Sequence, residues 1–108
     1  MKAKYWQKGE VIDYKNLDSD KIEAGDVVVI KNRIGVAGCD IATNETGTLH
    51  VVGVYEVPKV ENEAVEVGEV LYYNLEEDSV TKTKTDIEVG YAIQPQAAGS
   101  KSIFVKIG

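Results

Sequence analysis

The chain has 108 residues, 44% of them hydrophobic, and 18 acidic side chains against 12 basic ones give it a net charge of −6. That length supports one domain with one core, burying roughly two-thirds of the surface of the unfolded chain without help from disulfides or metals. With Arg33 as its one arginine it has no clustered basic face to neutralise phosphates, which sets nucleic acid aside as a partner.

Tyr5, Trp6, Val11, Ile12 and Tyr14 stand among Lys2, Lys4, Lys8 and Lys15. Aromatic groups rimmed by charge are what interface anchors look like, and a terminal segment can also cover its own core or add a strand to a partner's sheet. Residues 1–14 are therefore expected to be an N-terminal arm or first strand. Those five apolar residues are its candidate contacts, and residues 15–108 form the all-β domain. No apolar stretch follows the lysines, so no signal peptide is expected.

Asp18 to Glu23 holds the sole helical hint, too short to matter. Asp18-Ser19-Asp20 opens like a calcium loop, but Glu23 and Val29 stand where such a loop needs Gly and Glu. A solvated turn with Asx-type hydrogen bonds is the expectation. Val27 to Ile30 is continuously apolar, which predicts a strand buried on both faces. A tight turn at Lys31-Asn32 and a strand over Ile34 to Ala37 follow. Thr48 to Val57 is the longest strand candidate, with Gly53 as a bulge or bend and Pro58 as its end.

Glu61, Glu63 and Glu66 belong to a solvated loop. Glu69 to Asn74 and Ser79 to Thr83 read as strands around the polar turn Glu76-Glu77-Asp78, with Lys82 and Lys84 guarding an edge. Tyr91 to Ile93 and Ser102 to Ile107 complete the set. Glu-x-Gly recurs with glycines at 25, 47, 68 and 90, spaced by 22, 21 and 22 residues. Two short strands and two turns fill such a period, so each copy is expected to be a turn whose glycine has a positive φ ahead of a strand.

The residues offer little chemistry. Cys39 and His50 are the sole cysteine and histidine; they form the one nucleophilic pair available, and no oxyanion motif accompanies it. Cys39 reads as a small packed hydrophobe. One Cys and one His cannot build a structural zinc site. There is no Gly-x-x-x-x-Gly-Lys-Ser/Thr phosphate loop, and no apolar run approaches the ~20 residues that span a bilayer. No catalytic residue, metal, cofactor or membrane is expected.

Several segments, taken in order, resemble one family. They are Lys4-Tyr5-Trp6-Gln7-Lys8-Gly9-Glu10-Val11-Ile12-Asp13-Tyr14, Ala24-Gly25-Asp26-Val27-Val28-Val29 and Arg33-Ile34-Gly35-Val36-Ala37. Asp40-Ile41-Ala42, Gly47, Gly53-Val54-Tyr55-Glu56-Val57-Pro58-Lys59, Gly68-Glu69-Val70-Leu71-Tyr72-Tyr73, Gly90-Tyr91-Ala92 and Val105-Lys106-Ile107-Gly108 follow. Along nearly the whole chain these resemble the DUF2190 family of phage and prophage capsid cement, or head decoration, proteins.

The resemblance implies a single small β-barrel or β-clip-like domain of short antiparallel strands with little or no helix. It implies a homotrimer on the outer surface of a virion capsid, bound to the lattice of the major capsid protein and made in the bacterial host cytoplasm. It implies no enzyme. Two readings stand beside it: another virion structural or receptor-binding β-module, and a small hydrolase using carboxylates.

Overall fold

The computed structural model describes residues 1–108 and contains nine strands and no helix. They are β1 (Val11–Lys15), β2 (Val27–Ile30), β3 (Arg33–Ala37), β4 (Thr46–His50), β5 (Gly53–Pro58), β6 (Val70–Asn74), β7 (Ser79–Thr81), β8 (Glu88–Ala92) and β9 (Ser102–Ile107). Alternation of burial is clearest in β9, where Ile103, Val105 and Ile107 are buried and Phe104 and Lys106 between them are partly exposed. That period of two is the pleat itself.

The strands form two antiparallel sheets, ordered β1-β4-β3-β2 and β5-β9-β8-β6-β7. Both are open. A single bridge from Lys59 to Val80 brings β7 against the end of β5, but no ladder closes either sheet into a barrel. The expected strand over Thr48 to Val57 is two strands in different sheets. β4 ends at His50 and β5 begins at Gly53, so the chain changes sheet at Val51-Val52. An unbroken apolar run can feed two layers as easily as one.

The two sheets are built alike. Substituting β5 for β1, β6 for β2, β8 for β3 and β9 for β4 turns the first strand order into the second, with β7 as an addition. The hydrogen bonds correspond too. Gly25 N–H donates to Ala37 O and Ala37 N–H to Asp26 O; Gly68 N–H donates to Ala92 O and Ala92 N–H to Glu69 O. The isolated bridge Ile22–Ile41 has its counterpart in Val65–Gln96.

Glu23 to Asp26 and Glu66 to Glu69 are the same turn in the two units. In each, the carboxylate of the fourth residue accepts from the N–H of the first. In each, the third residue is a glycine, with φ of 90° at Gly25 and 88° at Gly68, where a side chain would be strained. The other two Glu-x-Gly copies are not turns: Gly47 and Gly90 lie within β4 and β8. The true structural period is thus twice the one read from the glycines.

The interior divides in two, contrary to the single core expected. Twelve buried residues form one cluster under the second sheet, among them Val57, Leu71, Ile103 and Val105, and two of the twelve, Ile34 and Val36, come from β3. Ile22, Val28, Ala37, Ile41 and Leu49 form a smaller cluster under the first sheet. Successive β3 residues face opposite sides, so this one strand serves both clusters and couples the units. Arg33 also meets Glu88 across them at 3.6 Å.

Candidate interaction surface

Two features of the surface stand apart from the folded body. The first is the amino-terminal segment. Residues 1–10 form no strand, and Tyr5 and Trp6 are 80% and 87% exposed. Its side chains contribute one hydrogen bond, from Gln7 Nε2 to Val11 O. Glu10 O accepts from Val51 N–H, which is where the segment joins the fold.

The five candidate contacts therefore separate. Val11, Ile12 and Tyr14 lie in β1, paired with His50, Leu49 and Gly47 of β4, and Ile12 and Tyr14 pack against the smaller cluster. Tyr5 and Trp6 alone are free of the fold. Their separation was invisible in a sequence where all five read as one amphipathic stretch.

The second feature is a groove of about 520 Å³ between the sheets. Tyr14 of β1, Val27, Val28 and Val29 of β2, Val57 of β5 and Val80 of β7 line it. Its charged lining residues are Asp18, Asp26 and Asp78, with no lysine or arginine. The β2 run was expected to be buried on both faces; instead β2 is an edge strand, with Val27 40% exposed. Its apolar side chains face the groove where a covering layer would otherwise lie.

The residues with chemical potential are scattered. Cys39 is exposed, not packed as expected, and its Sγ lies 3.9 Å from Thr48 Oγ1. His50 sits beside Gly38, where an added Cβ would come within 2.8 Å of Nε2. No hydrogen bond joins the cysteine to the histidine, and no three His, Cys, Asp or Glu side chains gather as a metal would need.

Glu63 does not lie in a merely solvated loop. Its carboxylate accepts from Thr81 Oγ1 at 2.7 Å and from Lys82 N–H at 2.8 Å, which ties the loop to β7. Burial by itself would raise its pKa, but these bonds and the charges of Lys82 and Lys59 outweigh it and hold the group below its ordinary value. Tyr73 is pushed up to about 12 by burial and by its hydrogen bond to Asp78.

Two buried polar side chains escaped the sequence reading, and they occupy the same place in the two units. Asn16 follows β1 and is fully buried. Its Nδ2 donates to Asp20 O and Ile41 O, each at 2.9 Å, and its Oδ1 accepts from Asp18 N–H. It, not the aspartates, makes the expected Asx-type turn. Lys59 follows β5, is 4% exposed, and donates through Nζ to Val60 O and Ser100 O. Each pins the loop that leaves the first strand of its unit. Nothing in the local sequence distinguishes them from surface residues.

Among known proteins, a family model described as phage cement protein matches residues 6–107. No curated protein and no solved structure matches the chain.

Proposed function

The chain belongs to the phage cement protein family, and on that premise we propose that it binds the assembled lattice of a phage head as a structural ligand and stabilises it. The observation that carries this reading is the family match over nearly the whole chain. The exposed arm with Tyr5 and Trp6 supplies a segment able to make contact.

The physics is linkage. A ligand that binds the assembled shell and not its free subunits shifts the equilibrium toward the shell by its own binding free energy. In this reading the protein sits on the outer surface as a homotrimer after synthesis in the host cytoplasm. It performs no catalysis and needs neither nucleic acid nor membrane. Each copy need bury only about 800 Å², because linked contacts reinforce one another through effective concentration.

Val11, Ile12 and Tyr14 act by fixing the root of the arm in β1, and Tyr5 and Trp6 are the groups taken up by a neighbouring protein in the assembly. The test is co-sedimentation with expanded heads lacking their own cement. The full chain is expected to saturate the shells and raise the temperature at which they burst. Removing residues 1–9 is expected to lower occupancy at least tenfold. Shells that are equally resistant with and without the protein would overturn the reading.

A further inference from the structure

The likeness of the two units shows where the first is incomplete. In the second sheet, the outer edge of β6 is covered by β7, which pairs through Tyr72–Thr81, Tyr73–Val80 and Asn74–Ser79. Val80 of that short strand is buried in the larger cluster. In the first sheet β2 holds the place of β6, and no strand covers it. The groove lies along it.

The open edge has its bonding groups in place. In the antiparallel β2–β3 ladder, bonded and non-bonded pairs alternate, and Asp26 bonds to Ala37. By that alternation Val28 and Ile30 turn their N–H and C=O toward β3, and Val27 and Val29 present theirs outward. An edge of this kind is a template for another strand.

We propose that the outer edge of β2 and its groove receive the N-terminal arm of a second copy of this chain as an added strand. This rests on the arm being a contact segment, as above, and names its receptor. Three observations select that occupant. Extended, residues 1–8 place Met1, Ala3, Tyr5 and Gln7 on one face and Lys2, Lys4, Trp6 and Lys8 on the other, so Tyr5 can enter the apolar groove while the three lysines, with Trp6, stay at its rim. The rim supplies Asp18, Asp26 and Asp78 and no cation, so the charges are complementary. Finally, ten extended residues reach ~33 Å, and the arm's side chains make a single hydrogen bond, to Val11 O at its own root, so it is free to leave its own body.

The arm leaves β1 at Val11, and the groove meets that strand at Tyr14. The chain therefore departs from its own groove, which leaves the groove of another copy as the receptor in this proposal. The contact is head-to-tail, arm of one copy into groove of the next, so it can link several copies in a ring.

The test uses the full chain, the chain lacking residues 1–9, and a fluorescent peptide of residues 1–10. Sedimentation velocity is expected to show the full chain associating and the truncated one monomeric. The peptide is expected to bind the truncated protein, ~3–10-fold more weakly after Asp18→Lys, which alters an exposed charge. Val27→Pro removes an outward donor at the first position of the strand, where proline is tolerated, and is expected to abolish binding while thermal unfolding stays cooperative.

A full chain that remains monomeric, or a peptide that binds Val27→Pro and Asp18→Lys variants as well as the parent, would overturn the proposal. Truncated protein that still associates but no longer holds heads would overturn it too, sending the arm to the shell and leaving the lattice reading intact. Truncated protein that stops associating yet holds heads at full occupancy would support the proposal and remove the arm from the lattice reading.

Discussion

At the scale of single residues, the groups that matter most to stability are polar. Every buried side-chain nitrogen and oxygen has a hydrogen-bond partner, and Asn16 makes three such bonds from a site closed to water. Removing the amide takes a donor from Asp20 O and Ile41 O, leaves the Asp18 N–H without its side-chain acceptor and opens a cavity, although Ile41 O keeps the Ile22 N–H. Asn16→Ala is expected to cost about 3 kcal/mol, read as a lower urea midpoint at unchanged slope. Asn16→Asp is expected to do no better, because a carboxylate cannot donate to those carbonyls and must bury its charge.

Tyr73 gives one contribution to stability in alkali. Its folded pKa is about 12 against an ordinary 10.0, so the protonated phenol is favoured by folding. Its contribution is fully present below pH ~10 and is lost as the pH rises toward 12. The difference in unfolding midpoint between the parent and Tyr73→Phe is therefore expected to shrink across that window. A constant difference would mean that the Asp78 contact does not stabilise the phenol. The sequence marks Asp78 as a turn residue and Tyr73 as a strand residue; that one donates to the other depends on the hairpin register.

At the scale of elements, β1 and the arm behave differently although they adjoin. The arm makes one side-chain bond to the body, whereas β1 forms a full ladder with β4 and adds Ile12 and Tyr14 to a cluster. At concentrations low enough for the full chain to be monomeric, deleting residues 1–9 is expected to leave the urea midpoint unchanged. Deleting residues 1–15 is expected to cost more than about 3 kcal/mol, because ladder and apolar packing are lost together. Equal effects of the two deletions in denaturant titrations would refute that boundary.

The strands were legible to different degrees. β2, β3, β6 and β9 are plain in the periodicity and in the turn residues that flank them. β8 begins at Glu88, earlier than its apolar run, because Gly90 is drawn into the sheet by close approach of β9: an added Cβ would lie 1.9 Å from Lys106 O. A glycine placed for proximity looks the same in sequence as one placed for a turn. β7 stops at Thr81 because Glu63 takes the Thr81 hydroxyl and the next N–H, an interaction from a loop 18 residues away.

At the scale of the whole molecule, the chain is two similar sheets joined through β3, one finished by β7 and one with an edge left open. The finished unit seals its own strand edge; the unfinished one keeps an apolar, acid-rimmed groove and carries a free arm that leads away from it. That asymmetry between otherwise matching halves is the feature on which the proposed association of copies rests.

The amino-acid sequence by itself determined the all-β class, most strand positions, the family and the aromatic character of the arm, since each depends on composition, alternation or motif order along the chain. Only the tertiary structure decided that the interior splits, that β2 is an edge, that Asn16 and Lys59 are buried counterparts, and which two of five apolar residues stand free. Those properties depend on which strands become neighbours, and neighbourhood is fixed by long-range pairing and packing, which local pattern does not encode.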